Sequence, residues 1–252
     1  GGSDDRQVLG AVAPLIDTPP AAAALTLDLD DTLWPIAPVM ARCERVLHEF
    51  LLTHAPAVAN CFPVASMRAL RDRLFTERPE LTHDYSALRR LCLERAFDES
   101  GLNAPDLIDA AYAVFYATRN EVELYADVTD ALPVLADRHR IVALTNGNAD
   151  LKRIGLYRHF HGAVFAREMG CAKPDARIFA HACRLLEVDP EQVWHVGDDP
   201  ELDVLGAQRA GMHAVWLNRD GREWPYPRGP QPDLVVRNLM ELNACLTAAA
   251  TL

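Results

Sequence analysis

Long apolar runs, an excess of basic charge and paired cysteines are all missing from this sequence, and each absence excludes something. No uninterrupted apolar stretch reaches the roughly 18 to 20 residues that span a bilayer, and the opening Gly1 to Gln7 is small and acidic rather than a basic flank before an apolar block. The expectation is a cytoplasmic protein with no membrane partner. Lys and Arg number 25 against 36 Asp and Glu, a formal net charge of -11, so the overall field repels phosphate backbones and nucleic acid is not expected as a partner. The six cysteines, Cys43, Cys61, Cys92, Cys171, Cys183 and Cys245, form no Cys-x-x-Cys and accompany no paired-histidine spacing. A structural zinc is therefore not expected, and reduced thiols fit a cytosol.

What is present is an ordinary globular balance: 252 residues, 50% hydrophobic and 24% charged, enough for one large domain or one with a smaller insertion. Short apolar runs alternate with longer helix-patterned segments, which points to an α/β fold with parallel strands. The expected strands are Ala23 to Asp28, Arg140 to Thr145, Ala163 to Ala166, Gln192 to Gly197, His213 to Leu217 and Asp233 to Val236. Between the first two lie about a hundred residues of helical pattern: Val39 to His54, Pro63 to Arg78, Tyr85 to Ser100 and Pro105 to Arg119. Apolar residues recur there at three and four spacing, as in Leu107, Ala111, Val114 and Phe115, so these helices should bundle together. The plan is a Rossmann-like core domain over 20–35 and 125–252, with a helical cap domain over 36–124 on the loop after the first strand. Ligands of open α/β sheets bind at the carboxyl edge of the strands, so an insertion there would roof the site. The oligomeric state is not readable from these patterns.

The strongest chemical signal is Ala24-Leu25-Thr26-Leu27-Asp28-Leu29-Asp30-Asp31-Thr32-Leu33, an apolar strand running into three carboxylates. An aspartate in such a place also serves as a loop or helix cap. Three together lower the weight of that reading, because unpaired buried charges cost several kcal/mol, and a divalent cation would compensate them. Trp194-His195-Val196-Gly197-Asp198-Asp199-Pro200-Glu201-Leu202-Asp203 repeats the arrangement, and two acidic strand ends can share one ion. Hard oxygen donors without thiolate or imidazole point to Mg²⁺. A third strand end, Thr145-Asn146-Gly147-Asn148, offers donors for an oxyanion, and Lys173, just before a helix, can neutralise carboxylate and phosphate together. His195, inside a strand, reads as a hydrogen-bonded core residue rather than a ligand.

These four elements resemble the haloacid dehalogenase superfamily, in the phosphatase branch with a helical cap between the first and second motifs. The first motif is matched by Asp28-Leu29-Asp30-Asp31-Thr32, the second by Thr145, the third by Lys173 and the fourth by Asp198 with Asp203. The resemblance implies a nucleophilic Asp28 that becomes an aspartyl-phosphate, and an Asp30 that acts as acid and then base. It implies Mg²⁺ held by Asp28, Asp198 and the backbone carbonyl of Asp30, with Thr145, Asn146 and Gly147 at the phosphoryl oxygens and Lys173 balancing charge. Asp203 would orient Lys173 or a metal-bound water, and Asp199 would sit in the outer sphere. The substrate implied is a small-molecule phosphate ester.

The same superfamily contains other chemistries. Halide displacement needs neither the metal nor a leaving-group acid, and dehalogenases lack the aspartate found here as Asp30. Phosphonatases use a cap lysine, whereas Trp34 to Val122 contains no lysine. A phosphomutase would retain Asp30 and stays open, and a noncatalytic binding protein would show a missing motif residue, which is not the case. For the substrate, Trp34 can stack on a planar ring or pack at the hinge, and Arg89 and Arg90 can face the site or form a solvated helix face. The strings Asp-Leu-Asp-Asp-Thr-Leu-Trp, Thr-Asn-Gly-Asn, His-Val-Gly-Asp-Asp and the cap turn Pro79-Glu80-Leu81-Thr82-His83-Asp84 are similar to a bacterial group acting on flavin mononucleotide and on the phosphorylated pyrimidine of riboflavin synthesis. That similarity implies a ring-bearing ribityl phosphate.

Overall fold

The computed structural model describes residues 21–249. The opening Gly1 to Gln7, residue 20 at the core boundary and the last residues to 252 lie outside the described residues. Strand β1 (Ala24–Leu27) leads into five helices, α1 (Ile36–His54), α2 (Pro56–Cys61), α3 (Val64–Glu77), α4 (Tyr85–Glu99) and α5 (Pro105–Arg119). Then follow α6 (Val128–Arg138), β2 (Arg140–Thr145), α7 (Leu151–Ile154), β3 (Gly162–Phe165), α8 (Ala166–Met169) and α9 (Ala176–Leu186). The chain closes with β4 (Val193–Gly197), α10 (Gly206–Arg209), β5 (His213–Leu217), β6 (Leu234–Val236) and α11 (Leu239–Ala249). The expected α/β architecture is present: all six strands pair in parallel in the order β3-β2-β1-β4-β5-β6. No helix among the described residues is long and apolar enough to cross a membrane.

Alternation along β1 explains its two buried faces. Leu25 and Leu27 join Trp194, Val196, Val215 and Leu217 under α6 and α11, while Ala24 faces Val142, Val193, Phe179 and Ala182 on the α9 side. The inserted helices enclose an apolar cluster of their own, including Val39, Leu51, Leu74, Leu93, Phe97 and Phe115. Between the first two expected helical segments the structure adds the six-residue α2, which Pro56 opens because proline suits a first helical position. Asp84 caps α4 by accepting a hydrogen bond from the Ala87 backbone N–H.

This topology positions the chemistry. Strand β1 has β2 on one side and β4 on the other, so the strand order reverses at β1 and a crevice opens beyond its carboxyl end. Asp28 follows β1, Thr145 ends β2, and Asp198 follows β4. Beyond Asp28 the chain turns sharply, with Asp31 in the left-handed region (φ 63°), a conformation aspartate tolerates better than most residues. The Asp31 side chain then accepts from the Ile36 N–H at the start of α1.

Candidate active site

At the end of β1 the Asp28 carboxylate is buried, 7% exposed, and its two oxygens have different partners. Lys173 Nζ donates to Oδ1 at 2.9 Å, and Thr32 Oγ1 lies 3.0 Å from Oδ2 and 3.3 Å from Asp198 Oδ1. Lys173 also donates to Asp203 Oδ1 at 2.7 Å. The Asp203 carboxylate is the most heavily engaged of the three: its Oδ1 also meets His195 Nε2 at 2.8 Å, and its Oδ2 accepts from the Asp199 N–H at 3.1 Å. His195 Nδ1 in turn lies 2.7 Å from Thr26 Oγ1. With Asp203 ionised, Nε2 carries the proton and Nδ1 accepts from the threonine. His195 is thus the buried strand residue its sequence context suggests, and its partner belongs to the site.

Burial raises the Asp28 pKa well above the usual carboxylate value; Lys173 opposes that rise, while Asp203 and Asp198 add to it. Burial and the Asp203 charge push Asp198 up to about 6. Asp203 goes the other way: burial resists its charge, but Lys173 and His195 outweigh that and hold it below the ordinary range. Lys173, although buried, is held above its ordinary value by Asp203 and Asp28, so it stays cationic. Three carboxylates against one ammonium leave an excess of negative charge. One oxygen from each of Asp28, Asp198 and Asp203 lies within 4.8 Å of the others, a cluster able to hold a cation. Asp203 accepts three hydrogen bonds, two of them on Oδ1, against one on each Asp28 oxygen and one on Asp198, so Asp28 and Asp198 keep more lone pairs for an ion.

Two glycines make this crowding possible. A Cβ on Gly197 would overlap the Asp203 carboxyl group, and one on Gly147 would overlap Asp30 Oδ2. Thr145 Oγ1 accepts from the Gly147 N–H at 2.9 Å. Asn146 differs from its expected role in one respect: its side-chain amide does not face the crevice. Its Oδ1 accepts from the Lys173 N–H at 2.7 Å and its Nδ2 donates to the Lys173 carbonyl at 3.1 Å, so the amide holds the lysine loop in place.

Trp34 also requires correction. Its side chain is fully buried and cannot stack on a substrate; its Nε1 instead donates to Asp30 Oδ1 at 2.9 Å. Asp199 caps the turn after β4 by accepting from the Glu201 and Leu202 N–H groups, and it reaches the site only through its backbone bond to Asp203. Arg90 pairs with Asp109 and Glu94 on the outer face of α4, away from the crevice. Arg89 is buried, 7% exposed, with its guanidinium 4.2 Å from the Phe115 ring centre.

Arg119, the last residue of α5, was not foreseen. It is 2% exposed, and its Nη2 donates to both Asp30 oxygens, at 2.8 and 2.7 Å. Its Nε donates to Asn148 Oδ1 at 2.9 Å, and Asn148 Nδ2 donates to Ser86 Oγ at 3.1 Å. One side chain from the inserted helices thus holds a carboxylate of the sheet domain. Above it opens a cavity of about 310 Å³ that joins Asp30 and Arg119 to Met40, Tyr85, Arg89 and Phe115.

A family model for haloacid dehalogenase-like hydrolases matches residues 22–211. The chain belongs to that family. Among relatives of this haloacid dehalogenase-like hydrolase, the 5-amino-6-(5-phospho-D-ribitylamino)uracil phosphatase of Escherichia coli is 35% identical over 198 residues, 77% of this chain and 83% of that one. The phosphoserine phosphatase of Thermus thermophilus is 32% identical over 246 residues, 86% of this chain and 96% of that one. A solved structure described as a 2-haloacid dehalogenase from Pseudomonas syringae pv. Tomato superposes with a TM-score of 0.83 at 37% identity, covering 90% of this chain and 99% of that one. Family membership fixes the hydrolase scaffold, while the relatives' names divide between phosphate esters and haloacids.

Proposed function

We propose that the protein is a magnesium-dependent phosphatase that hydrolyses a small-molecule phosphate monoester through an aspartyl-phosphate on Asp28. In this reading residues 36–124 form the cap over a core of 20–35 and 125–252. The observation that carries it is the pairing of Asp28, gripped by Lys173, with a second carboxylate two residues on, Asp30, oriented by Arg119 and Trp34. A Mg²⁺ ion fits the donor set, hard carboxylate oxygens of Asp28 and Asp198 with unbalanced negative charge, to which the family resemblance adds the Asp30 carbonyl. When bound, it would neutralise charge where an anionic nucleophile meets an anionic ester.

The steps for the side chains follow. An oxygen of Asp28 attacks phosphorus and the ester P–O bond breaks, while Asp30 gives its proton to the departing oxygen. Thr145 and the backbone N–H groups around Gly147 hold phosphoryl oxygens, and Lys173 offsets the charge gathering there. Asp30 then takes a proton from water, whose oxygen attacks phosphorus and releases Asp28 and inorganic phosphate. For the substrate, the cap-turn and strand-end strings and the 35% identical relative both favour a ring-bearing ribityl phosphate, such as flavin mononucleotide or the riboflavin-pathway pyrimidine.

The dehalogenase name on the 37% identical structure favours a second reading, halide displacement by Asp28. Asp30 argues against it, because a departing halide takes no proton and that chemistry gives the carboxylate no task. Transfer to a sugar hydroxyl, as in a phosphomutase, is the other competitor. Incubating the protein with Mg²⁺ and p-nitrophenyl phosphate, flavin mononucleotide, a hexose phosphate or 2-chloropropionate separates them. The expected outcome is inorganic phosphate from the esters, lost on chelation and in Asp28→Asn, with no chloride release. Chloride from 2-chloropropionate, or a rearranged hexose phosphate without free phosphate, would overturn the assignment.

A further inference from the structure

Arg89 is a cation without a direct acceptor among the described residues. It lies on α4, 93% buried, yet among the described residues it makes no hydrogen bond and no ion pair; its one direct interaction is the Phe115 ring at 4.2 Å. The carboxylates nearest in this part of the cap are already engaged: Glu44 by Arg68 and Arg71, and Asp72 by Arg71. A largely buried guanidinium without a directly paired counter-charge is destabilising, Glu44 acting on it only at longer range, and such groups mark places where a ligand completes them. Arg89 lines the same cavity as Asp30, so it faces the space a leaving group would fill. Arg119, at the Asp30 end, shows the same signature in part: its Nη1 is buried and has no partner.

We infer that Arg89 is a specificity residue, and that the leaving group of the substrate carries a negatively polarised oxygen, a carboxylate or a ring carbonyl, which binds the Arg89 guanidinium at the cap end of the cavity. This rests on the phosphatase reading for which end of the cavity takes the phosphate. A planar group suits the walls, since Tyr85 and Phe115 flank the space and Met40 adapts to its outline. The volume, about 310 Å³, is enough for a single ring or a short acid. A leaving group made of hydroxyls alone leaves the guanidinium without a charged or strongly polarised acceptor.

The test compares kcat/KM for three arms, O-phosphoserine for the carboxylate, uridine 5'-monophosphate for the ring carbonyl, and glycerol phosphate for the polyol, in wild type, Arg89→Met and Arg89→Lys. Wild type is expected to prefer one acceptor-bearing arm over glycerol phosphate, and which arm wins identifies the acceptor. Arg89→Met should lower that preference about ten- to hundredfold, the range for a hydrogen bond to a charged group. It should also raise the thermal midpoint, because an apolar side chain replaces an unpaired buried cation. Arg89→Lys keeps the charge without the planar fork and should lose part of the preference even if Arg89→Met folds poorly. A preference within about twofold of wild type in both variants would overturn the inference. A second readout needs no turnover: thermal shifts of wild type and Arg89→Met with uridine, glycerate or glycerol. Stabilisation of wild type by uridine or glycerate, absent in Arg89→Met, supports the subsite, and equal shifts in both proteins refute it. Failure of wild type to hydrolyse any ester would sink the phosphatase reading, and these shifts would still decide the subsite.

Discussion

The two ends of the crevice handle buried charge in opposite ways. At the sheet, Lys173 sits between Asp28 and Asp203, His195 completes Asp203, and Thr26 completes His195. Among the inserted helices, Arg89 has only an aromatic face and Arg119 retains a buried donor with no partner among the described residues. In the proposed reading the difference separates two tasks. Groups that perform the chemistry are oriented in advance by their neighbours, which lowers the reorganisation needed in the transition state. Groups that choose a substrate keep donors free for it.

The largest test of this contrast is Lys173→Met. It strips the sheet end of its cation and leaves Asp28 and Asp203 buried together, so the free energy of unfolding should fall by about 3 to 5 kcal/mol and turnover should vanish. Denaturant unfolding of the two proteins checks it, and an equal or higher stability would erase the distinction from Arg89→Met. Next is Asp30→Asn, which keeps shape but removes proton transfer. Turnover should fall by about 10²- to 10⁴-fold for an alkyl phosphate, and by less for p-nitrophenyl phosphate, whose leaving group needs little protonation. An equal fall for both esters, measured by phosphate release, would remove Asp30 from the acid role.

Arg119→Met is smaller in effect and lies on the border between the two ends. The variant frees Asp30 from its cap contact, and kcat/KM should drop about tenfold to a hundredfold, the scale of a charge-assisted hydrogen bond. Arg119→Lys should recover only part, since one ammonium cannot bind Asp30 and Asn148 as the fork does. The smallest effect belongs to Trp34→Phe, which keeps most of the packing and loses the Nε1 hydrogen bond to Asp30. A loss of about 0.5 to 1.5 kcal/mol in transition-state stabilisation is expected from steady-state kinetics.

Much of the sheet was legible because apolar strands and the carboxylates that follow them are contiguous in sequence: Leu25 and Leu27 are followed at once by Asp28, and Val196 by Gly197 and Asp198. The parallel order brings those contiguous units together. Other features depend on contacts that no local pattern encodes. Arg119 closes a helix, where a basic residue is expected for the helix dipole alone, and its partner Asp30 lies 89 positions earlier. Trp34 was open to two readings because an aromatic residue after a motif packs or stacks equally well, and only its buried indole N–H aimed at Asp30 separates them. The Asn146 side chain could have faced the crevice, but the loop bearing Lys173 approaches closely enough to engage both ends of the amide. Arg89 was legible as a cap cation, whereas its lack of any partner appears only once Glu44 and Asp72 are seen bound to other arginines.

The proposed reaction depends on phosphoryl transfer to one buried carboxylate. Rapid mixing of the Mg²⁺-loaded protein with a phosphate monoester, quenching in acid and reducing with borohydride converts an aspartyl-phosphate to homoserine, which peptide mass spectrometry can locate. Homoserine at position 28 is predicted, with none in unreacted protein. Unmodified Asp28 throughout a productive turnover, with phosphate still released, would contradict the central claim.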